Sequence, residues 1–345
     1  MYQTTGSYTL PVALPLEEGG LLGGASLSWS AYGERSDDNV AVLLHDLAHS
    51  HHALGPVEPG AFQSSGWGAE LVGEGLPLDT SALQVLVPNL LGSPFGSTSP
   101  VTIDTQVGRP YGPALPTVTV TDMARAVAAM LRGMKVERAR ALVGVGLGGL
   151  VALQLAALFP ELTTAVVVLG AAKALPETLR ERLGLTRQVL RQDPDFRDGH
   201  YAPGQGPKRT LRKLRLEYLR LLQGPDSFRC MDPSVAAAEQ ALEADADAFA
   251  ETFDANAWAL LCTAYAGADV TDGLTKIRAP VLLATGADDA LAPPSRVRDT
   301  YHLLSAAGVR AHYQEVPEPC GHASLLRQAG RLHRPIRDFL RRRSS

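Results

Sequence analysis

A run of glycines between a predicted strand and a predicted helix is the strongest chemical signal in the sequence. It reads Gly144-Val145-Gly146-Leu147-Gly148, and it lies between the apolar run Ala139–Val143 and a helical pattern that starts at Gly149. In the pattern G-x-S-x-G, a sharp strand-to-helix turn presents a serine nucleophile above a sheet, and small flanking residues let the turn close. The spacing and context are present here, but the central residue is Gly146 and not serine.

The same glycines also fit the phosphate-binding pattern G-x-G-x-x-G, through Gly144, Gly146 and Gly149. Such a loop normally follows the first strand of a domain and is followed, about 20 residues later, by an acidic residue. Here the preceding strand is not the first in the chain, and Val168 and Leu169 stand at the acidic position. The pattern therefore favours a nucleophile elbow over a dinucleotide-binding loop.

Short apolar runs alternate with helical patterns in the two ends of the chain. The helical patterns include Val120–Met134 and Gly149–Phe159. The runs that we predict to be buried strands are Val40–Leu44, Leu83–Pro88, Ala139–Val143, Ala165–Leu169, Pro280–Ala284 and Ala311–Val316. Strands that alternate with helices indicate a mostly parallel, doubly wound α/β sheet.

The middle of the chain has no convincing strand pattern between about Ala174 and Asp272. Its pieces Thr210–Leu222 and Pro233–Phe253 are amphipathic and helical in pattern. A helical insertion of this kind is typical of a lid over the carboxyl ends of the strands, where such sheets bind ligands. We therefore predict a core formed by residues 1–173 and 273–345, with a helical lid at 174–272.

The composition excludes several classes of function. The 345 residues are 45% hydrophobic and 20% charged, which is enough for a sizeable buried core. A formal net charge of −4 without a dominant basic face argues against a nucleic-acid partner. No apolar run reaches the roughly 18 residues that span a bilayer, so no membrane partner is predicted. His49, His51 and His52 are interpreted as loop histidines and not as metal ligands, because no carboxylate spacing completes a site.

The cysteines indicate the compartment. Cys230, Cys262 and Cys320 are widely spaced and match neither a metal site nor a disulfide framework. This pattern favours a reducing environment. The N-terminus also lacks the basic segment and apolar run of a signal peptide. We therefore predict a cytoplasmic protein.

Several longer motifs between about Leu43 and Leu326 are unusual enough to be compared with known families. They are Gly66-Trp67, Asp79-Thr80, Asn89-Leu90-Leu91-Gly92-Ser93, Gly96-Ser97-Thr98, Arg109-Pro110-Tyr111-Gly112, Val118-Thr119-Val120-Thr121-Asp122-Met123, Gln192-Asp193-Pro194-Asp195-Phe196 and Phe253-Asp254-Ala255-Asn256. Together they resemble homoserine O-acetyltransferases over most of the chain. The resemblance implies an α/β-hydrolase fold and a serine, an aspartate and a histidine that carry acetyl from acetyl-CoA to a hydroxyl group.

The resemblance assigns a position to each of these three residues. The serine position is Gly146, the aspartate position is Asp289 and the histidine position is His322. A solvated turn residue and a loop histidine are the structural alternatives for Asp289 and His322, but neither explains why both follow the matching strands. Asp289 would orient the imidazole and favour its protonated form, and we predict that His322 is a competent general base near neutral pH.

Gly146 has no side chain with which to form an acyl-enzyme, and loss of a triad serine lowers such activity by orders of magnitude. Because glycine adopts elbow angles with little penalty, we expect the fold to survive. We also expect a small vacancy beneath His322 that water or a substrate group could fill. Cys320 lies close to His322 in sequence, but neighbouring loop positions need not face each other, so we do not expect a cysteine nucleophile.

The resemblance also places an oxyanion hole at the backbone N–H groups of Leu47 and Leu147. At this loop, family members have a sequence similar to H-A-L-T-G, whereas this chain has His45-Asp46-Leu47-Ala48-His49. An aspartate that points inward would oppose an oxyanion. Two interpretations stay open: Asp46 points away and hydrogen-bonds locally, or it enters the site as a second acid/base group.

The substrate end of the resemblance is altered as well. Family members carry Y-L-R-x-Q-G where this chain reads Ala241–Ala246, so Glu243 replaces an arginine suited to a carboxylate. Arg187 is retained as a second substrate-binding candidate, and Phe95 replaces a family-type lysine. These changes argue against homoserine and predict a less polar small-molecule substrate.

A base without a nucleophile suits proton abstraction. We therefore predict first a base-promoted elimination of a carboxylate such as acetate from an O-acylated substrate, or a related cyclisation, in specialised metabolism. The alternatives are direct acyl transfer, in which His322 deprotonates the acceptor hydroxyl, and a non-catalytic binding protein, against which the retained Asp289 and His322 weigh. Acetyl-CoA is needed only for acyl transfer, and no other cofactor is predicted. The resemblance is also compatible with a homodimer.

Overall fold

An eight-stranded sheet forms the centre of the molecule. The computed structural model describes residues 2–36, 38–55, 66–223, 235–317, 320–327 and 329–341. The strands are β1 (Gln3–Thr9), β2 (Ser26–Tyr32), β3 (Val40–Leu44), β4 (Gln84–Pro88), β5 (Ala141–Val145), β6 (Val166–Leu169), β7 (Val281–Gly286) and β8 (Ala311–Val316). Their spatial order is β1-β2-β4-β3-β5-β6-β7-β8. Only β2 runs antiparallel to its neighbours, so the carboxyl ends of β3 to β8 meet at one edge of the sheet.

Helices cover both faces of this sheet and fill the segment between β6 and β7. They are α1 (Val120–Gly133), α2 (Leu147–Leu158), α3 (Glu177–Gly184), α4 (Thr186–Arg191), α5 (Lys208–Gln223), α6 (Val235–Thr252), α7 (Ala255–Gly267), α8 (Pro294–Ala306), α9 (Ser324–Arg327) and α10 (Gly330–Arg341). Short two-stranded ribbons pair Leu14–Pro15 with Leu21–Leu22, Val72–Gly73 with Leu78–Asp79, and Ile103–Asp104 with Arg109–Pro110.

The central strands are buried on both faces, and β3 shows why they are apolar throughout. Val42 and Leu44 pack into the cluster that contains α1 and α2. The alternate residues Ala41 and Leu43 pack into a second cluster on the opposite face, which contains α10. Because successive side chains of a strand point to opposite faces, a strand covered on both sides needs an uninterrupted apolar run.

Helix α2 is also apolar on nearly all sides, because it lies between the sheet and α1. Its buried residues include Leu150, Val151 and Leu155. A helix with no polar face is held in place by packing and not by solvent. The turn that leads into α2 therefore has a rigid support.

The segment between β6 and β7 is helical, as the sequence predicts. Within its described residues, the one β interaction is an isolated bridge between Ala174 and Asp269 at its base. Aromatic side chains of three helices pack together there, with Tyr218 of α5 and Phe249 of α6 both edge-on to Trp258 of α7. The division into a core and a lid at 174–272 stays a prediction.

All six predicted strands are present, with ends displaced by up to two residues. The antiparallel pair β1 and β2 was missed. Strand β1 alternates exposed and half-buried residues and contains threonine, serine and glycine, so it carries no apolar run. Strand order places it at an edge of the sheet, where one neighbour suffices.

The cysteines differ from their prediction. Cys320 is disulfide-bonded, so the expectation of no disulfide is wrong. Cys262 is a free, buried thiol, and Cys230 lies outside the described residues. Spacing along the chain does not reveal a disulfide, because the bond depends on proximity in space. The prediction of a cytoplasmic protein therefore loses its support from the cysteines and stays a prediction.

No helix in the described part of the chain combines the length and apolar character needed to cross a membrane.

Candidate active site

The turn between β5 and α2 has the geometry that the sequence predicts. Gly146 has φ 52° and ψ −117°, a backbone conformation that glycine adopts without strain. The flanking glycines are required by space: a Cβ on Gly144 would lie 2.1 Å from the carbonyl oxygen of Gly148. A Cβ on Gly148 would lie 2.3 Å from the carbonyl oxygen of Leu44. The chain therefore retains the backbone of an elbow that presents a side chain above the sheet, although residue 146 has none.

Asp46 fills the space above this turn. It follows β3, is 2% exposed, and its Oδ1 accepts a 2.8 Å hydrogen bond from the backbone N–H of Leu147. A Cβ on Gly146 would lie 2.1 Å from that same Oδ1 and 2.4 Å from Cγ of Asp46. The question left open by the sequence is thus resolved in favour of the inward orientation. The expected vacancy beneath His322 is wrong, because the carboxylate of Asp46 occupies it.

The predicted histidine and aspartate lie together. His322 Nδ1 donates to Asp289 Oδ2 at 2.8 Å, and both residues are buried. The other oxygen of Asp289 accepts from the backbone N–H groups of Leu291 and Ala292, at 2.9 Å each. Asp289 is therefore not a solvated turn residue: two backbone groups and one imidazole fix its carboxylate.

The imidazole of His322 lies between two carboxylates. Its Nε2 is 3.8 Å from Oδ2 of Asp46 and has no hydrogen-bond partner among the described residues. Burial opposes the charged imidazolium, but the charge and hydrogen bond of Asp289, with the charge of Asp46, outweigh it and raise the pKa of His322 to about 9. A pKa raised in this way favours the imidazolium at neutral pH, and the role of His322 as a general base stays a prediction.

Replacing Asp46 by Asn is expected to lower the pKa of His322, because one of the two carboxylates that stabilise the imidazolium is lost. Asp289→Asn is expected to lower that pKa further, since it removes both a charge and the 2.8 Å hydrogen bond. NMR titration of labelled histidine measures both shifts. An unchanged pKa of His322 in Asp46→Asn would contradict the inward placement of this carboxylate.

The same shift predicts how stability depends on pH. A histidine whose pKa is higher in the folded state than its ordinary value of 6.5 stabilises the fold fully below pH 6.5. This contribution is lost as the pH rises from 6.5 to about 9. The free energy of unfolding, measured with denaturant across this window, should therefore fall more in the wild type than in Asp46→Asn.

Aromatic residues cover the site from the helices between β6 and β7. The hydroxyl of Tyr218 makes a long hydrogen bond of 3.4 Å to Oδ2 of Asp46. Burial and the charge of Asp46 raise the pKa of Tyr218 and of Tyr265, so both phenols stay protonated. Tyr218 also borders a cavity of about 150 Å³ that is lined by Leu183 and Trp258 among others. Tyr218 therefore contacts both this cavity and the carboxylate.

Arg215 is a charged residue near the site that the sequence analysis missed. It is 4% exposed, donates to Oδ1 of Asp245 at 2.8 Å and lies over the ring of Phe249. Burial of His49 lowers the pKa of that histidine, and the charge of Arg215 lowers it further. A sequence signal existed: Leu211, Arg215 and Leu219 are spaced by four residues and lie on one face of α5.

The histidines near Asp46 have structural partners. Nε2 of His45 accepts from the backbone N–H of Leu90, so Nδ1 carries the proton and donates to the carbonyl oxygen of Asp46. Burial lowers the pKa of His45 to about 4 and keeps it neutral. His51 hydrogen-bonds the hydroxyl of Ser30, and His49 stacks on Trp67. His45 thus holds the backbone that aims Asp46 at the elbow.

The two predicted substrate residues lie on helices between β6 and β7. Glu243 is on α6 with its side chain 50% exposed and forms an ion pair with Arg212. Arg187 is half-buried on α4, and its charged or ionisable neighbours are Arg191 and Tyr201. The assignment of both residues to substrate binding stays a prediction.

The predicted oxyanion donors are both adjacent to Asp46. Leu147 offers its N–H to Asp46 Oδ1, so this donor is already occupied. Leu47 directly follows Asp46 and is buried. Their role toward a substrate stays a prediction. In this arrangement a buried imidazolium faces an ionisable carboxylate above an elbow that lacks its own side chain.

Comparison with known proteins places this arrangement in a wider context. A family model described as alpha/beta hydrolase fold matches residues 58–328. The chain is 33% identical to an L-serine/homoserine O-acetyltransferase from Streptomyces lavendulae, over 96% of both chains. It is 31% identical to a homoserine O-succinyltransferase from Methylibium petroleiphilum, over 98% of this chain and 94% of the relative.

Solved structures show the same architecture. A homoserine O-acetyltransferase from Bacillus anthracis matches with a TM-score of 0.90 at 21% identity, covering 100% of this chain and 99% of that chain. The esterase E22 matches with a TM-score of 0.87 at 20% identity, covering 98% of this chain and 100% of that chain. The predicted α/β-hydrolase fold, with its mostly parallel sheet, is confirmed.

Proposed function

Because this chain belongs to the homoserine O-acyltransferase family of α/β-hydrolase-fold proteins, we propose that it transfers an acyl group from an acyl thioester to a hydroxyl group without an acyl-serine intermediate. The observation that carries the proposal is the buried pair of His322 and Asp289, joined by a 2.8 Å hydrogen bond. This pair directs Nε2 of the imidazole toward the elbow, where no serine stands. The relatives are named as O-acetyltransferases and O-succinyltransferases, which supports an acyltransferase-like enzyme.

The acid/base role falls to His322. Transfer to a hydroxyl requires that the acceptor loses a proton and that the thiol leaving group gains one. A single imidazole can do both in turn if it is held in one orientation, and Asp289 provides that orientation. Serine and homoserine are the acceptors to test first, since they are named in the activities of the relatives.

The experiment measures thiol release from acetyl-CoA or succinyl-CoA in the presence of serine, homoserine and less polar alcohols. We expect thiol release that depends on one of the acceptors, with an O-acylated product found by mass spectrometry. His322→Ala should lower the rate by about 10²- to 10⁴-fold, the usual contribution of a positioned acid/base. His302→Ala, on the exposed face of α8, is the matched control and should leave the rate unchanged. Equal rates in wild type and His322→Ala would contradict the proposal.

A second candidate is the elimination of a carboxylate from an O-acylated substrate. The observation that favours it is the occupied amide of Leu147, because elimination forms no oxyanion on the acyl group and so needs no free hole. Incubation of O-acetylserine or O-acetylhomoserine without CoA distinguishes the two. Release of acetate together with an unsaturated product would favour elimination, whereas formation of acetyl-CoA and the free alcohol when CoA is added would favour acyl transfer.

A further inference from the structure

We propose that Asp46 is the nucleophile of this protein, relocated from the elbow to the loop after β3, and that its Oδ2 carries the acyl group as a mixed anhydride. The inference rests on the proposed acyl transfer and names the residue that replaces the missing serine. Gly146 leaves room above the elbow for one side chain, and the carboxylate of Asp46 occupies that space.

The two substitutions are complementary in space. A Cβ at residue 146 would lie within 2.4 Å of both Oδ1 and Cγ of Asp46, so an inward aspartate requires glycine at the elbow. The homoserine O-acetyltransferase pattern has alanine at position 46 and serine at position 146. This chain has aspartate and glycine at these positions. The reactive oxygen has therefore moved across the gap from one loop to the other and remains beside the same histidine.

Hydrogen bonds hold the carboxylate of Asp46 in one orientation. The N–H of Leu147 fixes Oδ1 at 2.8 Å, and the neutral His45 fixes the backbone of Asp46 through a 2.9 Å hydrogen bond. Oδ2 is left facing Nε2 of His322 at 3.8 Å, and among the described residues its one hydrogen bond is the long contact to the Tyr218 hydroxyl. Orientation of this kind removes much of the entropy barrier of attack.

The protonation state agrees with this role. A serine must pass its proton to histidine before it attacks, whereas attack by a carboxylate requires no such transfer, so the imidazolium can serve as the acid from the start. The groups that face His322 are Asp289 and Asp46, with His49, Tyr218 and Tyr265 nearby, and the two carboxylates dominate. The resting pair of carboxylate and imidazolium thus corresponds to a serine enzyme after its first proton transfer.

The reaction balances in two halves. In the first, Asp46 Oδ2 forms a bond to the thioester carbonyl carbon, the C–S bond breaks, and the sulfur takes the proton from Nε2 of His322. In the second, the acceptor oxygen bonds to the same carbonyl carbon while its proton passes to Nε2. The bond between that carbon and Oδ2 then breaks, which restores the carboxylate and the imidazolium. The N–H of Leu47 is the remaining backbone donor for the oxyanion.

The test uses the full chain, mixed with acetyl-CoA or succinyl-CoA in the absence of acceptor and quenched rapidly. We expect a burst of about one thiol per chain and an acyl group on the peptide that contains Asp46, removable by hydroxylamine. Asp46→Asn keeps an acceptor for the Leu147 amide and should fold, but it should show no burst. Asp272→Asn, at an exposed position, is the matched control and should keep it. The burst rate should fall as the pH rises through about 9, because the imidazolium is then lost.

Each other outcome is decisive. Acceptor-dependent turnover without a burst, with a rate that rises toward pH 9, would overturn the nucleophile and leave the proposed acyl transfer standing as direct transfer. A burst that persists in Asp46→Asn, or an acyl group on another residue such as Cys262, would also overturn it. Absence of both burst and turnover with either thioester would overturn the proposed function together with the nucleophile.

Discussion

The double replacement Gly146→Ser, Asp46→Ala is expected to turn this chain into an esterase for simple aryl acetates. The alanine removes the carboxylate and frees the N–H of Leu147, so that this group can stabilise an oxyanion. The introduced serine would then stand on a turn with elbow angles, beside an imidazole that Asp289 already orients. We expect kcat/KM for p-nitrophenyl acetate to rise by at least about 10³-fold over the wild type, since a triad serine contributes several orders of magnitude.

Gly146→Ser alone is expected to fail for a steric reason. The new Cβ would lie 2.1 Å from Oδ1 of Asp46, and the carboxylate would have to leave the Leu147 amide in a buried site. Overpacking of this kind typically destabilises a fold by about 1–3 kcal/mol. The Gly146→Ala, Asp46→Ala pair is the matched control, because it has the same Cβ without the hydroxyl. Esterase activity in Gly146→Ser equal to that of the double variant would contradict this account.

Replacing Asp289 by Asn is expected to lower the rate of thiol release from acetyl-CoA by about 10⁴-fold, as in other enzymes whose histidine depends on a buried aspartate. The amide can still accept from Leu291 and Ala292, but it presents an NH₂ group to Nδ1 of His322 and so favours the wrong tautomer. The loss should therefore appear in kcat, with the fold intact by circular dichroism.

Asp288→Asn provides the control for that loss. Its carboxylate oxygen accepts from the backbone N–H of Gly321 at 2.7 Å, and an amide oxygen can do the same. We expect the rate of thiol release to change by less than about tenfold, since the amide oxygen replaces the carboxylate oxygen in a single backbone hydrogen bond. Equal losses at Asp288 and Asp289 would mean that the loop, and not the orientation of His322, limits the reaction.

The fold could be predicted from the sequence because a strand that is buried on both faces appears in the sequence as an uninterrupted apolar run. Strand β3 was predicted with its observed bounds, since an apolar run that is buried on both faces has few other interpretations. Strand β8 also has its predicted bounds, although its sequence AHYQEV is mixed and only Val316 is fully buried. Strand β1 was missed because an edge strand with alternating exposure carries no such run. The disulfide of Cys320 left no trace either, since its partners are brought together only by folding.

The site could be predicted only in part. The hydrogen-bonded pair of Asp289 and His322 followed from motif position, because strand ends at one edge of a sheet are fixed by the fold. The direction of Asp46 could not be predicted, since it depends on the clearance above Gly146, which the sequence does not express. The ion pair of Glu243 with Arg212 could not be predicted either, since it joins two helices that only folding brings together.

The most direct test of this account is a kinetic double-mutant cycle on Asp46 and His322. The measurement is the rate of thiol release from acetyl-CoA in Asp46→Asn, in His322→Gln and in the variant with both changes. If the carboxylate and the imidazolium act as one unit in place of a serine and its histidine, each single change should lower the rate severely and the double change should lower it little further. Losses that multiply, or an Asp46→Asn protein with the activity of the wild type, would contradict it.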